Sequence, residues 1–173
     1  EVAERAAGFL LDHLRDPDGR LWHVWNEGEA KVPGLLDDHT HVIEGLLALY
    51  QTTFETRWYT AARDLAGVMI EHFIVDPEQA ALDRSVSVRE AGSHIYFAGF
   101  YDTADDAENL VVRPRDMQDN AVPSGNAMAA TVLLKLARFS GESYYGMIAR
   151  RSLVAMEEMM AQHPLAFGNA RDA

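Results

Sequence analysis

The sequence predicts an all-α fold, one piece of a larger toroid of helical hairpins. Three observations predict it: apolar residues recur at spacings of three and four in five segments, the segments fall into two alternating kinds, and short turns alternate with long connections. Spacing of this kind gathers apolar side chains on one face of a helix, and that face has to be buried against a neighbour.

The first helix is predicted from about Val2 to Leu14, with Val2, Ala6, Phe9 and Leu10 on one face. The second runs from about Asp37 to Gln51 and carries His39, Val42, Ile43, Leu46, Leu47 and Tyr50. The third, from about Arg57 to Phe73, carries Trp58, Ala62, Leu65, Met69 and Phe73. The fourth, from about Ser124 to Phe139, carries Ala127, Ala130, Leu133, Leu134 and Ala137. The fifth, from about Ser143 to Gln162, carries Tyr145, Ile148, Ala149, Met156 and Met159. Asp16-Pro17-Asp18-Gly19 and Asp76-Pro77 are expected stops, since proline cannot continue a helix and its predecessor avoids the α region. Gly141 stands where a left-handed C-cap is expected. Asp37 and Ser124 are expected N-caps, because a short oxygen-bearing side chain accepts an unpaired backbone N–H there.

Internal repetition sorts these helices. Ala7-Gly8-Phe9-Leu10-Leu11-Asp12-His13-Leu14 lines up with Ala66-Gly67-Val68-Met69-Ile70-Glu71-His72-Phe73. Leu46-Leu47-Ala48-Leu49, followed by Glu55, Trp58, Ala62, Arg63 and Met69, lines up with Leu133-Leu134-Lys135-Leu136, followed by Glu142, Tyr145, Ala149, Arg150 and Met156. The first, third and fifth helices are therefore one kind, and the second and fourth another. Such alternation fits hairpins arranged around an axis, with the second and fourth helices lining the inside and the others packing outside. The two long connections then cluster at one end of the ring, carrying Leu21-Trp22-His23-Val24-Trp25-Asn26-Glu27 and Phe100-Tyr101-Asp102-Thr103-Ala104-Asp105-Asp106-Ala107-Glu108. The plainer alternative is an open five-helix bundle with two irregular loops.

Composition narrows the partners. At 173 residues the chain is long enough for one compact domain with a real core. A formal charge of −12 repels nucleic acid and the anionic face of a membrane, and no basic helix is present to offset it. No apolar run approaches the ~20 residues that span a bilayer. With no cysteine, disulfides, thiolate metal sites and thiol catalysis are all excluded. A cytoplasmic location fits this composition, and no cofactor is expected. The chain starts at Glu1 inside a helical pattern, without Met and without a signal-peptide pattern, so it is expected to be a fragment whose true N-terminus lies upstream.

Gly99-Phe100-Tyr101-Asp102-Thr103-Ala104-Asp105-Asp106-Ala107-Glu108, Arg113-Pro114-Arg115-Asp116 and Asp119-Asn120-Ala121-Val122-Pro123-Ser124-Gly125-Asn126 come in this order along the chain. Together they resemble the spermatogenesis-associated thioredoxin-domain family, with its bacterial YyaL-like members. Leu36-Asp37-Asp38-His39 ahead of Glu44-Gly45-Leu46-Leu47 is similar to that family's inner-helix motif, although Asp37 and His39 depart from its usual Leu-Glu-Asp-Tyr. The resemblance is clearest from Leu35 to Gly141. It implies a thioredoxin-like domain followed by an (α/α)6 toroid similar to six-hairpin glycosidases and N-acylglucosamine 2-epimerases. This chain has no CxxC and would be part of the toroid only, a single domain over residues 1–173 whose open edges favour self-association. Glu90 to Ala98 departs from the pattern, as a local insertion or a strand of a small hairpin.

Asp102, Asp105, Asp106 and Glu108 concentrate carboxylates in one connection. With Asp38, placed to face the cavity, Asp102, Asp105 and Asp106 are the candidate catalytic groups, a general acid and base for a sugar. The competing readings are a hard-cation site, though the spacing is not that of an EF-hand, and a capped turn in which Asp side chains bond their own backbone. No metal site is predicted. Trp22, His39, Tyr101 and Asn126 are the candidate substrate contacts. Aromatic faces complement the C–H side of a sugar ring, but Trp22, Trp25 and Tyr101 equally suit the closing of a core beneath a loop. His39 falls on the apolar stripe, where a core histidine satisfied by one hydrogen bond is the competing role. His39 and His41 point to different helix faces, so they share no metal. Pro123-Ser124-Gly125-Asn126 lacks the strand-to-helix context of a serine nucleophile and reads as a helix start with Asn126 turned to the cavity. Arg113 and Arg115 are expected to form structural ion pairs with the acidic cluster, with the holding of an anion as the alternative. His23 and His94 lie in connections with no pattern that pairs them. A sugar or polyol is thus the expected ligand, and a non-catalytic scaffold that presents a partner to a thioredoxin-like domain is the alternative.

Overall fold

The structure is a computed structural model that describes residues 1–75, 90–91, 94–95, 99–107, 113–119, 121–162 and 167–168. Among the described residues its helices are α1 (Val2–His13), α2 (Leu36–Thr53), α3 (Thr56–Phe73), α4 (Gly125–Ser140) and α5 (Ser143–Gln162). All five expected helices are present, each end within two residues of its predicted position. The Asp76-Pro77 stop and Glu108 lie outside the described residues.

The fold is mostly helical rather than wholly so, which corrects the all-α expectation. The first long connection contains a hairpin, β1 (Trp22–Asn26) and β2 (Glu29–Pro33), paired antiparallel with Val24 opposite Lys31 and Trp25 opposite Ala30. Glu27 and Gly28 between them have φ of 52° and 83°. Two consecutive left-handed residues make the turn whose twist matches that of the strands it joins. Trp25 leans on α1, its ring 5.5 Å from that of Phe9 and edge-on to it. A second pair, β3 (Glu90–Ala91) and β4 (His94–Ile95), falls in the stretch expected to be an insertion or small hairpin.

Helix ends follow local chemistry. Ser124 caps α4, its Oγ accepting the Ala127 N–H at 3.3 Å, and Gly141 ends that helix at φ 74°. At α2 the expected Asp37 cap is corrected. Leu35 is the N-cap residue, and Asp38, three positions on, reaches back so that its Oδ2 accepts the Leu35 N–H at 2.7 Å. A carboxylate at this position satisfies an orphan donor and lies favourably in the helix dipole.

The inner-kind helices α2 and α4 pack on each other, and each is backed by the helix that follows it, α3 or α5; α1 packs on α2. Leu36, Ile43 and Leu47 of α2, Trp58, Leu65, Met69 and Phe73 of α3, and Leu133 and Leu136 of α4 are fully buried in one shared core. The short links 54–55 and 141–142 join the helices of each pair, and described parts of both long connections lie at the opposite end. There the two long connections meet: Leu36 N–H donates to the Asp102 carbonyl at 3.0 Å, and Arg20 pairs with Asp106 at 2.6 Å. Among the described residues no helix is long and apolar enough to cross a membrane.

Candidate functional site

The common rim is built by backbone pairing. Val75 N–H donates to Gly99 O at 3.0 Å and Tyr101 N–H to Phe73 O at 2.8 Å, so the second connection is stitched to the end of α3. Asp102 N–H donates to Pro114 O at 2.9 Å, which folds the chain back on itself. Asn126, at the start of α4, fastens the result. Its Oδ1 accepts the Phe100 N–H at 2.8 Å, and its Nδ2 donates to Phe100 O and Asp116 O, both at 3.0 Å. Gly99 has φ +95°, and a Cβ there would stand 2.7 Å from Asn126 Oδ1, so this approach requires glycine.

One acidic group forms where the N-termini of α2 and α4 meet the second connection. Asp38 Oδ2 lies 2.8 Å from His23 Nδ1, across from β1. Asp37 lies against the start of α4, its Oδ1 2.4 Å from where a Gly125 Cβ would stand. Burial raises the Asp37 carboxyl above the usual range; His41 opposes the shift and the charges of Asp38 and Asp116 add to it. Asp102 accepts the Asp116 N–H at 2.9 and 3.0 Å. Burial raises its carboxyl too, the Asp116 amide opposes, and the charges of Asp116 and Asp37 add. The rim therefore holds two carboxyls that retain protons at higher pH than an ordinary aspartate, beside a histidine–carboxylate pair.

A second group lies at the C-terminal end of α3. His72 Nδ1 is 2.9 Å from Asp105 Oδ1, and the Arg20 guanidinium reaches both Asp106, at 2.6 Å, and the His72 ring nitrogens, at 3.2 and 3.3 Å. The hydrogen bond from Arg20 holds the Asp106 carboxyl below the usual range. His72, Asp105 and Asp106 offer ligand atoms within 4.8 Å of one another, a spacing a cation would fit. Arg20 already supplies positive charge at this point, and the arrangement is that of an ion-pair network.

Trp22, His39 and Asp106 share a cleft with Arg20, Phe73 and Gly34. Its volume of about 140 Å³ is below the roughly 300–1,000 Å³ of ligand pockets, so it does not enclose a sugar by itself. Asp38, Tyr101, Asp102, Asp105 and Asn126 are not on its wall. Tyr101 is 4% exposed, with the Arg113 guanidinium 4.0 Å above its ring. Arg113 also donates to the Thr103 carbonyl, and burial lowers its pKa from the usual guanidinium value. Tyr101 and Asn126 thus build the rim from beneath. The sequence missed His23, Arg20 and His72 as partners of these carboxylates. Only the opposite charges hinted at Arg20, and His72 was visible solely as a term in the repeat.

His39 has a defined tautomer. Nδ1 lies 2.8 Å from Leu35 O and donates to it, and Nε2 accepts the Leu21 N–H at 3.2 Å. It is buried, and desolvation lowers its pKa. A folded pKa below the unfolded value of about 6.5 means that the unfolded chain binds the extra proton. This contribution is full above about pH 6.5 and is lost as pH falls through the lowered folded value, with a slope of at most about 1.4 kcal/mol per pH unit. Urea midpoints at pH 7.5 and 5.0 are expected to differ more for the native chain than for His39→Gln. Equal differences would contradict the assignment.

The chain is similar to spermatogenesis-associated protein 20. It is 30% identical to the human (Homo sapiens) protein and 31% identical to the mouse (Mus musculus) protein, in each case over 95% of its own length. To the rat (Rattus norvegicus) protein it is 28% identical over the same share. It spans about a fifth of the length of these curated relatives. No family model matches the chain.

Proposed function

We propose that the chain is a segment of a spermatogenesis-associated thioredoxin-domain protein, an arc of its (α/α)6 toroid, and that the rim of this arc holds a sugar or polyol. Similarity across nearly the whole chain supports the first part, as does the alternation of inner-kind and outer-kind helices. The observation that carries the second is the gathering of four polar side chains at the start of α2: Asp37, at the surface, and half-buried Asp102, both with carboxyl pKa raised by desolvation, beside the His23–Asp38 pair. A protonated carboxyl donates to a hydroxyl or glycosidic oxygen, and an imidazole or carboxylate accepts a hydroxyl proton. Trp22, in the neighbouring small cleft, supplies an aromatic face. In this reading the small cleft is one wall of a larger cavity, whose other walls come from arcs outside this chain. The acidic, cysteine-free composition agrees with a cytoplasmic setting.

A second reading, a non-catalytic scaffold, is favoured by the hydrogen bond of Asp105 to His72, the ion pair of Asp106 with Arg20, and the structural use of Tyr101, His39 and Asn126. Calorimetric titration with a panel of mono- and disaccharides separates the two. The carbohydrate reading expects one of them to bind, with at least a tenfold loss, about 1.4 kcal/mol, in Asp38→Asn. That substitution keeps an oxygen for the Leu35 N–H, so the helix start survives. Absence of heat with every sugar would leave the scaffold reading standing.

A further inference from the structure

An apolar groove of about 320 Å³ runs between α1 and α2. Its walls are Ala3, Ala6, Ala7 and Leu10 on α1, and Val42, Gly45, Leu46 and Leu49 on α2, with the exposed His41 at its edge. The internal repeat says what such a groove is for. In the first alignment, Ala3, Ala6, Ala7 and Leu10 correspond to Ala62, Leu65, Ala66 and Met69 of α3. All four of those residues are fully buried, in the helix that packs most extensively on α2. In the second alignment, Val42, Gly45, Leu46 and Leu49 correspond to Ala129, Val132, Leu133 and Leu136 of α4. These four are fully buried as well, in the other helix against which α2 packs. So α2 sits between α3 and α4 on the faces that correspond to the groove between α1 and α2, where Leu46 and Ala7 are already covered but Ala3, Ala6 and Gly45 are exposed and Leu10, Val42 and Leu49 only partly buried. Every position that the repeat places in contact with an inner-kind helix is present here, and the helix itself is not among the described elements.

We propose that this groove seats a further inner-kind helix, an amphipathic segment patterned like α2 and α4, contributed by the part of the longer polypeptide outside this chain. Two observations select that occupant over a second copy of the chain. The outer-kind helices α3 and α5 each follow an inner-kind partner through a short link, and α1 is outer-kind with the same unmet face. The relatives that match the chain along 95% of its length are about five times as long, which leaves ample polypeptide to supply the segment. Gly45 suits close approach by another helix: a Cβ built on it meets nothing within 4 Å, so no residue of this chain accounts for a glycine in mid-helix, where it costs about 1 kcal/mol relative to alanine. The inference rests on the order of helix kinds and not on the carbohydrate reading, so either can fail without the other.

The absence of cysteine makes the test direct. Gly45→Cys on α2 and Ala6→Cys on α1 each place a thiol in the groove, and Asp64→Cys places one on the exposed side of α3 as a control. Maleimide labelling is followed by mass spectrometry of the peptide concerned, both in the 173-residue chain and in the full-length product of the same gene. Both groove thiols are expected to label rapidly in the chain, at a rate independent of its concentration, and at least tenfold more slowly in the full-length product. The control is expected to label alike in both. Equal groove labelling in the two proteins would overturn the proposal. Labelling of the chain that slows as its concentration rises would also overturn it, by making a second copy the occupant.

Discussion

Replacing Asn126 with leucine is expected to lower the stability of the chain by roughly 3–5 kcal/mol, because the buried N–H and carbonyl of Phe100 and the part-buried carbonyl of Asp116 each lose a hydrogen bond. Phe100 loses the acceptor for its N–H and the donor to its carbonyl, and Asp116 loses the donor to its carbonyl. Leucine keeps the branched shape of asparagine and opens no cavity, and its larger volume adds an overpacking cost to the loss of the polar clamp. Asn126→Asp tests the geometry further. A carboxylate still accepts the Phe100 N–H but sets negative charge against two carbonyl oxygens, so its deficit should grow as pH rises through the carboxyl pKa and shrink below it. Urea denaturation at two pH values reads both effects. A leucine variant within about 0.5 kcal/mol of the native chain would show that the rim is held some other way.

The second large effect is expected at Trp58. It is 1% exposed and lies near the start of α3, in the core shared by α2, α3 and α4. Trp58→Ala should cost about 3–5 kcal/mol through lost burial and the cavity left behind. Its indole Nε1 has no hydrogen-bond partner among the described residues, so Trp58→Phe sacrifices volume but no hydrogen bond, keeps a ring beneath the Arg57 guanidinium, and should cost much less. The repeat adds a comparison. Tyr145 occupies the equivalent place in α5 and is 8% exposed, at the margin of the same core. Tyr145→Ala should therefore be the milder of the two truncations. The reverse order in thermal or urea melts would mean that α4 and α5, not α2 and α3, form the more tightly packed pair.

The helices were legible in the sequence because their evidence is local: a face repeats every three or four residues, and Ser124 and Gly141 mark the ends of α4 by their own conformational preferences. The pairing of kinds was legible because repeated sequence implies repeated packing. The hairpin was not, since Glu27-Gly28 lacks the asparagine or aspartate that usually announces a two-residue turn, and most of its side chains are exposed. At the rim, His39 was readable as a core histidine from its place on the apolar stripe. Its second hydrogen bond, to Leu21, required the first connection to be in position. The pairs His23–Asp38 and His72–Asp105 were not legible, because the helices and connections that bring those side chains together are separated along the chain. The cap at α2 was misplaced by a similar margin: Asp37 and Asp38 look alike in sequence, and only the backbone of Leu35 distinguishes them.

The central claim is that both long connections are anchored at one rim, on the N-terminal ends of α2 and α4. Hydrogen exchange on the Asn126→Leu variant tests it most directly. The amides of Phe100, Asp102 and Leu36 are linked in series through Asn126, Pro114 and the Asp102 carbonyl, and Leu21 hangs from His39 one turn into α2. Faster exchange is expected at Phe100, Asp102 and Leu36 together, extending to Leu21, while amides in the middle of α3 keep their native protection. Acceleration confined to Phe100 and its immediate neighbours, with Leu36 and Leu21 unchanged, would contradict a shared rim and separate the two connections.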